Sequence, residues 1–307
     1  MEEKIPIFLP NPWNDILDGS VVVVTGASKS GTTVAALLLA SMKPTYHIYE
    51  PALLKTIPPF ELDPGLIGVI STTFLYDYCL PIARGVRICD YEFQAVNSEW
   101  QWATQQSERS RRRGDIQFDG TRIFVYLLRE RPLWVVNVLD GLPRLKLWEQ
   151  IFPGMHTIHV VRNGFDVLAS SVSRREWYTN DYFSYPMHFA IDWVVLGNGY
   201  AVPWWLGEEA RFLWPEWTTM TRAAHMWLVQ VEMHPPTIRF EELTTNPTNV
   251  ARTIVRKFMF LEDTDLTPKW IQRLTMKDIP PHGLTLSDIQ EPERNKFKEA
   301  MEKLEYL

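Results

Sequence analysis

The stretch that most constrains this chain runs from Ser20 to Met42, SVVVVTGASKSGTTVAALLLASM. Val21 to Val24 form an unbroken β-branched apolar run, the pattern of a strand covered on both faces and hence of a parallel sheet. Thr25 to Gly31 is small and polar, with Gly26 and Gly31 placed where a chain turns sharply and lets its backbone approach a ligand. From Thr32 the alanine- and leucine-rich VAALLLA predicts a helix beginning near Thr32 or Thr33. A strand, a glycine-bearing turn and a helix start make an anion site. The first-turn amides have no partner inside the helix, the helix dipole adds positive potential, and Lys29 sits in the turn.

A nucleoside-triphosphate loop of the G-x-x-x-x-G-K-[ST] type carries its lysine directly after the second glycine. Gly26 and Gly31 have that spacing, but Thr32 stands at the lysine position and Lys29 lies two residues before Gly31. A lysine set earlier suits a donor with a shorter phosphate chain and less need of a metal. Ser28-Lys29-Ser30-Gly31-Thr32-Thr33 after a buried strand resembles the 5′-phosphosulfate loop of sulfotransferases that use 3′-phosphoadenosine-5′-phosphosulfate (PAPS). The resemblance implies PAPS as donor, 3′,5′-adenosine diphosphate as product, and no required metal. It places Ser28, Lys29, Ser30, Gly31, Thr32 and Thr33 on the 5′ end of the nucleotide. A nucleotide-dependent P-loop kinase and a catalytically silent binding protein are the competing readings of such a loop.

The second element of the resemblance lies much further along. His156 to Val161 reads as a strand, and Arg162-Asn163-Gly164-Phe165-Asp166 leads into the helical VLASSVSRR. V-R-N-x-x-D-V-x-x-S resembles the family's 3′-phosphate element, with Arg162 and Ser170 at the positions of its arginine and serine. Arginine offers phosphate a planar fork of donors, and a phosphate at that end separates this donor from ATP.

Between the two motifs, Thr45 to Tyr49 reads as a short strand followed by Glu50-Pro51. In an open parallel sheet ligands bind at the carboxyl ends of strands, so Glu50 is the leading general base, and the E-P pair resembles the carbohydrate-type branch of the family. His47 is the rival, on the opposite face by strand alternation. Leu133 to Val138 is a further apolar strand. It resembles a family segment that ends in lysine and threonine, but Asn137-Val138 stands there and carries no assigned role. Thr237 to Phe240 reads as a fifth strand, followed by Glu241-Glu242-Leu243 and a helix from Val250 to Phe260.

Composition narrows the remaining choices. Thirty-one Lys and Arg against 37 Asp and Glu leave a net charge of −6, so no global basic field recruits nucleic acid or an anionic membrane surface. The two cysteines, Cys79 and Cys89, make neither a disulfide framework nor a metal site. The acidic, proline-cut start reads as neither signal peptide nor anchor, and no window sustains the ~18 apolar residues of a membrane span. The expectation is a cytoplasmic enzyme. Of 13 tryptophans, six fall in the region 175–217, in proline-bearing, loop-like surroundings that suit an acceptor pocket or lid. The predicted architecture is a single α/β domain over 1–307. It is a three-layer α/β/α, P-loop-like fold with a central, mostly parallel sheet of about five strands. The predicted activity is in-line transfer of a sulfuryl group from PAPS to a hydroxyl or amine of a small-molecule acceptor.

Overall fold

A computed structural model describes residues 14–17, 19–27, 29–40, 45–49, 51, 53–54, 63–80, 127–129, 131–139, 141–173, 193–195, 201–203, 218–257 and 283–307. Ser28, Glu50, Cys89, the basic run 109–113 and most of the aromatic region 175–217 lie outside the described residues.

The valine run forms β1 (Val21–Gly26), buried at every position. Each fully buried valine contributes about 1.5 kcal/mol or more, and both faces of this strand are used. Val21 and Val23 face a core shared with Trp134, Val136 and Val138. Val22 and Val24 face a second core with Leu133, Val135, Ile158 and Val160. β2 (Thr45–Tyr49), β3 (Leu133–Leu139), β4 (His156–Val161) and β7 (Ile238–Arg239) complete a sheet in the order β2-β3-β1-β4-β7. All its pairings are parallel. β5 (Trp193–Val195) and β6 (Ala201–Pro203) pair separately as a short antiparallel hairpin.

Helices cover both faces. α2 (Thr32–Ala40) and α8 (Pro247–Lys257) lie on the Val22/Val24 side. α3 (Pro64–Phe74), extended by a π-turn over Leu75–Cys79, and α4 (Leu145–Ile151) lie on the other. α1 (Asn14–Leu17) adds Ile16 and Leu17 to that second layer. α5 (Gly164–Ser173), α6 (Thr219–Met233) and α9 (Glu293–Lys303) pack together around Trp227, Phe297 and Met301. The three-layer α/β/α arrangement expected from the strand patterns is therefore present. Among the described residues no helix is long and apolar enough to cross a membrane.

One boundary differs from expectation. The fifth strand of the sheet is two residues long, and Phe240 opens a helix, α7 (Phe240–Thr245). Its partner sets this limit: β4 ends at Val161, which pairs with Arg239, so a longer strand would have no neighbour. Glu241 and Glu242 in the first turn of α7 favour the helix dipole.

Sheet order locates the crevice. β1 lies between β3 and β4, with β2 beyond β3 on one side and β7 beyond β4 on the other. The carboxyl end of β1 is thus the point where connections diverge to opposite sides, the expected ligand position in such sheets.

Candidate anion-binding site

The loop after β1 is a tight turn. Ser30 N–H donates to the Ala27 carbonyl at 3.0 Å, and Lys29 between them holds a left-handed backbone with φ 71°. Gly31, at φ 89°, accepts the Val34 and Ala35 amides at 3.0 and 3.1 Å and so begins α2. The amides of Gly31, Thr32 and Thr33 then lie at the helix start, ahead of the internal hydrogen-bond ladder. The Ser30 amide belongs to the turn instead. The Ser30 hydroxyl is buried and has no hydrogen-bond partner, which is unusual for a native protein and fits a polar ligand at this spot.

The two glycines serve packing as well as turning. A Cβ on Gly26 would strike the Val160 carbonyl oxygen of the neighbouring strand, and one on Gly31 would strike the Phe240 ring. Their small size also lets the loop settle against β4 and α7.

β4 delivers the second motif to the same place. Arg162 follows β4 directly and is 8 % exposed. Its Nη1 donates to the Lys29 carbonyl at 3.2 Å, across 133 residues of sequence. Its guanidinium carbon stacks 4.7 Å above the centre of the Phe240 ring, and its Nε lies 3.7 Å from Asp166 Oδ2. Burial pulls the guanidinium below its ordinary range, while the Asp166 and Glu241 carboxylates pull the other way. Arginine keeps its charge under such a balance. The backbone here is fixed from three sides. Trp227 Nε1 donates to the Arg162 carbonyl at 3.1 Å. Asn163 N–H donates to Glu241 Oε1 at 2.9 Å, and the Asn163 side chain accepts the Phe165 amide at 3.0 Å. Tyr306 O–H donates to Glu241 Oε2 at 2.9 Å. Burial, then the charge of Glu241, holds the Tyr306 phenol well above its usual range.

The other predicted residues fall as follows. Ser170 is half-buried on α5, whereas its neighbour Ser171 is buried with an unpartnered hydroxyl. His47 lies in the middle of β2 beside Val135, on the face covered by α2. Thr32 is buried and Thr33 half-buried at the start of α2. Thr33 Oγ1 accepts a hydrogen bond from Asn137 Nδ2 at 3.3 Å. The structure therefore joins Lys29, Thr33 and Arg162 at one end of the sheet.

Asn137, Phe240, Glu241 and Trp227 also belong to this neighbourhood. The sequence marks Asn137 as a polar residue inside the apolar run LWVVNV, at the place where the resembled family segment carries lysine, without giving it a role. Among the described residues no group of three or more His, Cys, Asp or Glu gathers as a metal site.

No protein-family profile and no curated protein sequence matches the chain. Solved structures do align with it. The sulfotransferase domain of the Synechococcus PCC 7002 olefin synthase shares 14 % identity, with 94 % of each chain covered and a TM-score of 0.48. Sulfotransferase STF1 from Mycobacterium tuberculosis H37Rv shares 14 % identity over 96 % of this chain and 79 % of its own, at a TM-score of 0.39. Sulfotransferase STF9 from Mycobacterium avium shares 13 % identity over 94 % and 77 %, at a TM-score of 0.40.

Proposed function

We propose that this protein is a PAPS-dependent sulfotransferase acting on a hydroxyl or amine of a small-molecule acceptor. One observation carries the reading: the hydrogen bond from Arg162 to the Lys29 carbonyl, which brings the two phosphate-type motifs to one spot. Two anion-binding elements so close suit a ligand with phosphates on neighbouring parts of one nucleotide. The unpartnered, buried Ser30 hydroxyl fits such a ligand.

Within this reading the first-turn amides of α2, with the Thr32 and Thr33 hydroxyls, hold the 5′-phosphate. Ser28 and the Ser30 hydroxyl complete that side of the loop. Arg162 binds the 3′-phosphate with its remaining guanidinium donors, and Ser170 adds a hydroxyl. The donor supplies an activated sulfuryl group. Lys29 offsets negative charge on the departing phosphate side, and Glu50 or its rival His47 takes the acceptor's proton. Positioning and electrostatic stabilisation are the sources of acceleration. No step calls for a metal.

The test is twofold. Calorimetry should show binding of 3′,5′-adenosine diphosphate that Arg162→Ala weakens by tenfold or more, consistent with the loss of a charged donor pair. Labelled PAPS should then transfer its sulfuryl group in an acceptor screen, with Glu50→Gln cutting turnover and leaving nucleotide affinity nearly intact. Binding of ATP with Mg²⁺ in preference to the bisphosphate would refute the reading in favour of a kinase. Tight bisphosphate binding without turnover on any acceptor class would leave a binding protein.

A further inference from the structure

Asn137 is the one polar residue inside β3's buried run, and it is fully buried. Strand alternation puts it on the same face as Leu133 and Val135, the face covered by α2. Its neighbours in register are Val24 of β1 and Tyr49 of β2, so it stands beside the last turns of both strands before their loops. A carboxamide buried here must find partners or destabilise the fold. Its Nδ2 donates to Thr33 Oγ1 at 3.3 Å, and its Oδ1 is buried with no partner. A hydroxyl that accepts a hydrogen bond still has its own proton to give, and Thr33 sits in the first turn of α2, where an anion is favoured.

We propose that Asn137 is a positioning residue for the donor: it holds the Thr33 oxygen as acceptor and thereby turns the Thr33 proton toward the 5′-phosphate. The assignment rests on the sulfotransferase reading and adds to it the means by which one contact is oriented. Asn137 does not touch the nucleotide itself. A lysine here would bring a second cation beside Lys29. The carboxamide instead delivers direction without charge, beside Lys29 and Arg162, the cations that the described residues bring to the site.

The experiment compares the full-length wild type with Asn137→Leu, Thr33→Val and the double variant. Each is titrated calorimetrically with 3′,5′-adenosine diphosphate and, separately, with adenosine 3′-phosphate. Both single variants should lose about five- to tenfold in affinity for the bisphosphate, the range of one oriented hydrogen bond. The double variant should lose no more than Thr33→Val alone, and adenosine 3′-phosphate should bind all four proteins equally. Thr33→Ser should recover most of what Thr33→Val loses. Additive losses, or equal losses with the 3′-phosphate, would overturn the positioning role. A wild type that binds neither nucleotide overturns the sulfotransferase reading itself, whereas bisphosphate binding unaffected by Asn137→Leu overturns only the Asn137 assignment. If Asn137→Leu does not fold, Asn137→Asp has the same shape without the N–H donor. It should lose more than tenfold for the bisphosphate alone, and retained affinity would equally refute the proposal.

Discussion

Lys29 combines a left-handed backbone with the cationic role proposed for it, and a pair of substitutions separates the two. Its backbone is left-handed, φ 71°, in a turn closed by the Ser30–Ala27 hydrogen bond and by Arg162 on its carbonyl. A residue with a Cβ is destabilised there by about 1–2 kcal/mol, whereas glycine is not. Glycine also gives the unfolded chain more freedom, a loss of roughly 0.5–1 kcal/mol. The balance leaves Lys29→Gly more stable than Lys29→Ala by about 1 kcal/mol, or ~2 °C in melting temperature for a chain this size. Urea unfolding followed by tryptophan fluorescence reads the difference directly. Both variants lack the ammonium group, so both should lose about a hundredfold or more in sulfuryl transfer, the usual effect of removing one stabilising group from a transition state. Strain retained at a position of use is the signature of a functional constraint. Equal stability of the alanine and glycine variants would show that the turn is relaxed, and near-normal turnover in either would remove Lys29 from the chemistry.

Phe240 touches both halves of the site, under the Arg162 guanidinium and against Gly31. Phe240→Ala should reduce affinity for 3′,5′-adenosine diphosphate severalfold more than for either adenosine monophosphate, because it loosens the spacing between two sites; equal effects on all three would mean it only fills space. His159, buried on β4, donates from Nδ1 to the His234 carbonyl at 2.8 Å, and its Nε2 is buried with no partner. Burial lowers its pKa to about 4 from an ordinary 6.5, so between those values the unfolded chain binds the extra proton. Its contribution is full above pH 6.5 and falls away by pH 4, a change of about 3 kcal/mol. His159→Asn keeps a donor for His234 and cannot charge, so the stability gap between wild type and variant should shrink by that amount as pH drops; a gap independent of pH would refute the burial argument.

The parts of the site readable in sequence are those built from contiguous residues. Four valines, a polar turn and an alanine-leucine helix specify β1, the loop and α2 because each signal is local and all agree. Arg162 was readable for the same reason: a strand end and a helix start frame it. The glycines were readable as turn residues, but their packing role was not, since the atoms that exclude a Cβ belong to Val160 and Phe240, far along the chain. Asn137 bonds to a residue 104 positions away, and its meaning depends on β3 lying next to β1. The short fifth strand depends on where β4 stops. Such features are set by neighbours in space, for which a periodic pattern has no symbol.

Sheet order also explains why this loop has the charge it has. β1 presents the turn, and the strands on its two sides present different chemistry to it: a neutral carboxamide from β3 and a guanidinium from β4. The guanidinium on the β4 side is offset by the Asp166 and Glu241 carboxylates, both of which act on it. Under the proposed reading a phosphate reaches Arg162 only through donors that the Lys29 carbonyl and Asp166 leave over, so the uncharged amides and hydroxyls of the loop carry the larger part of its binding.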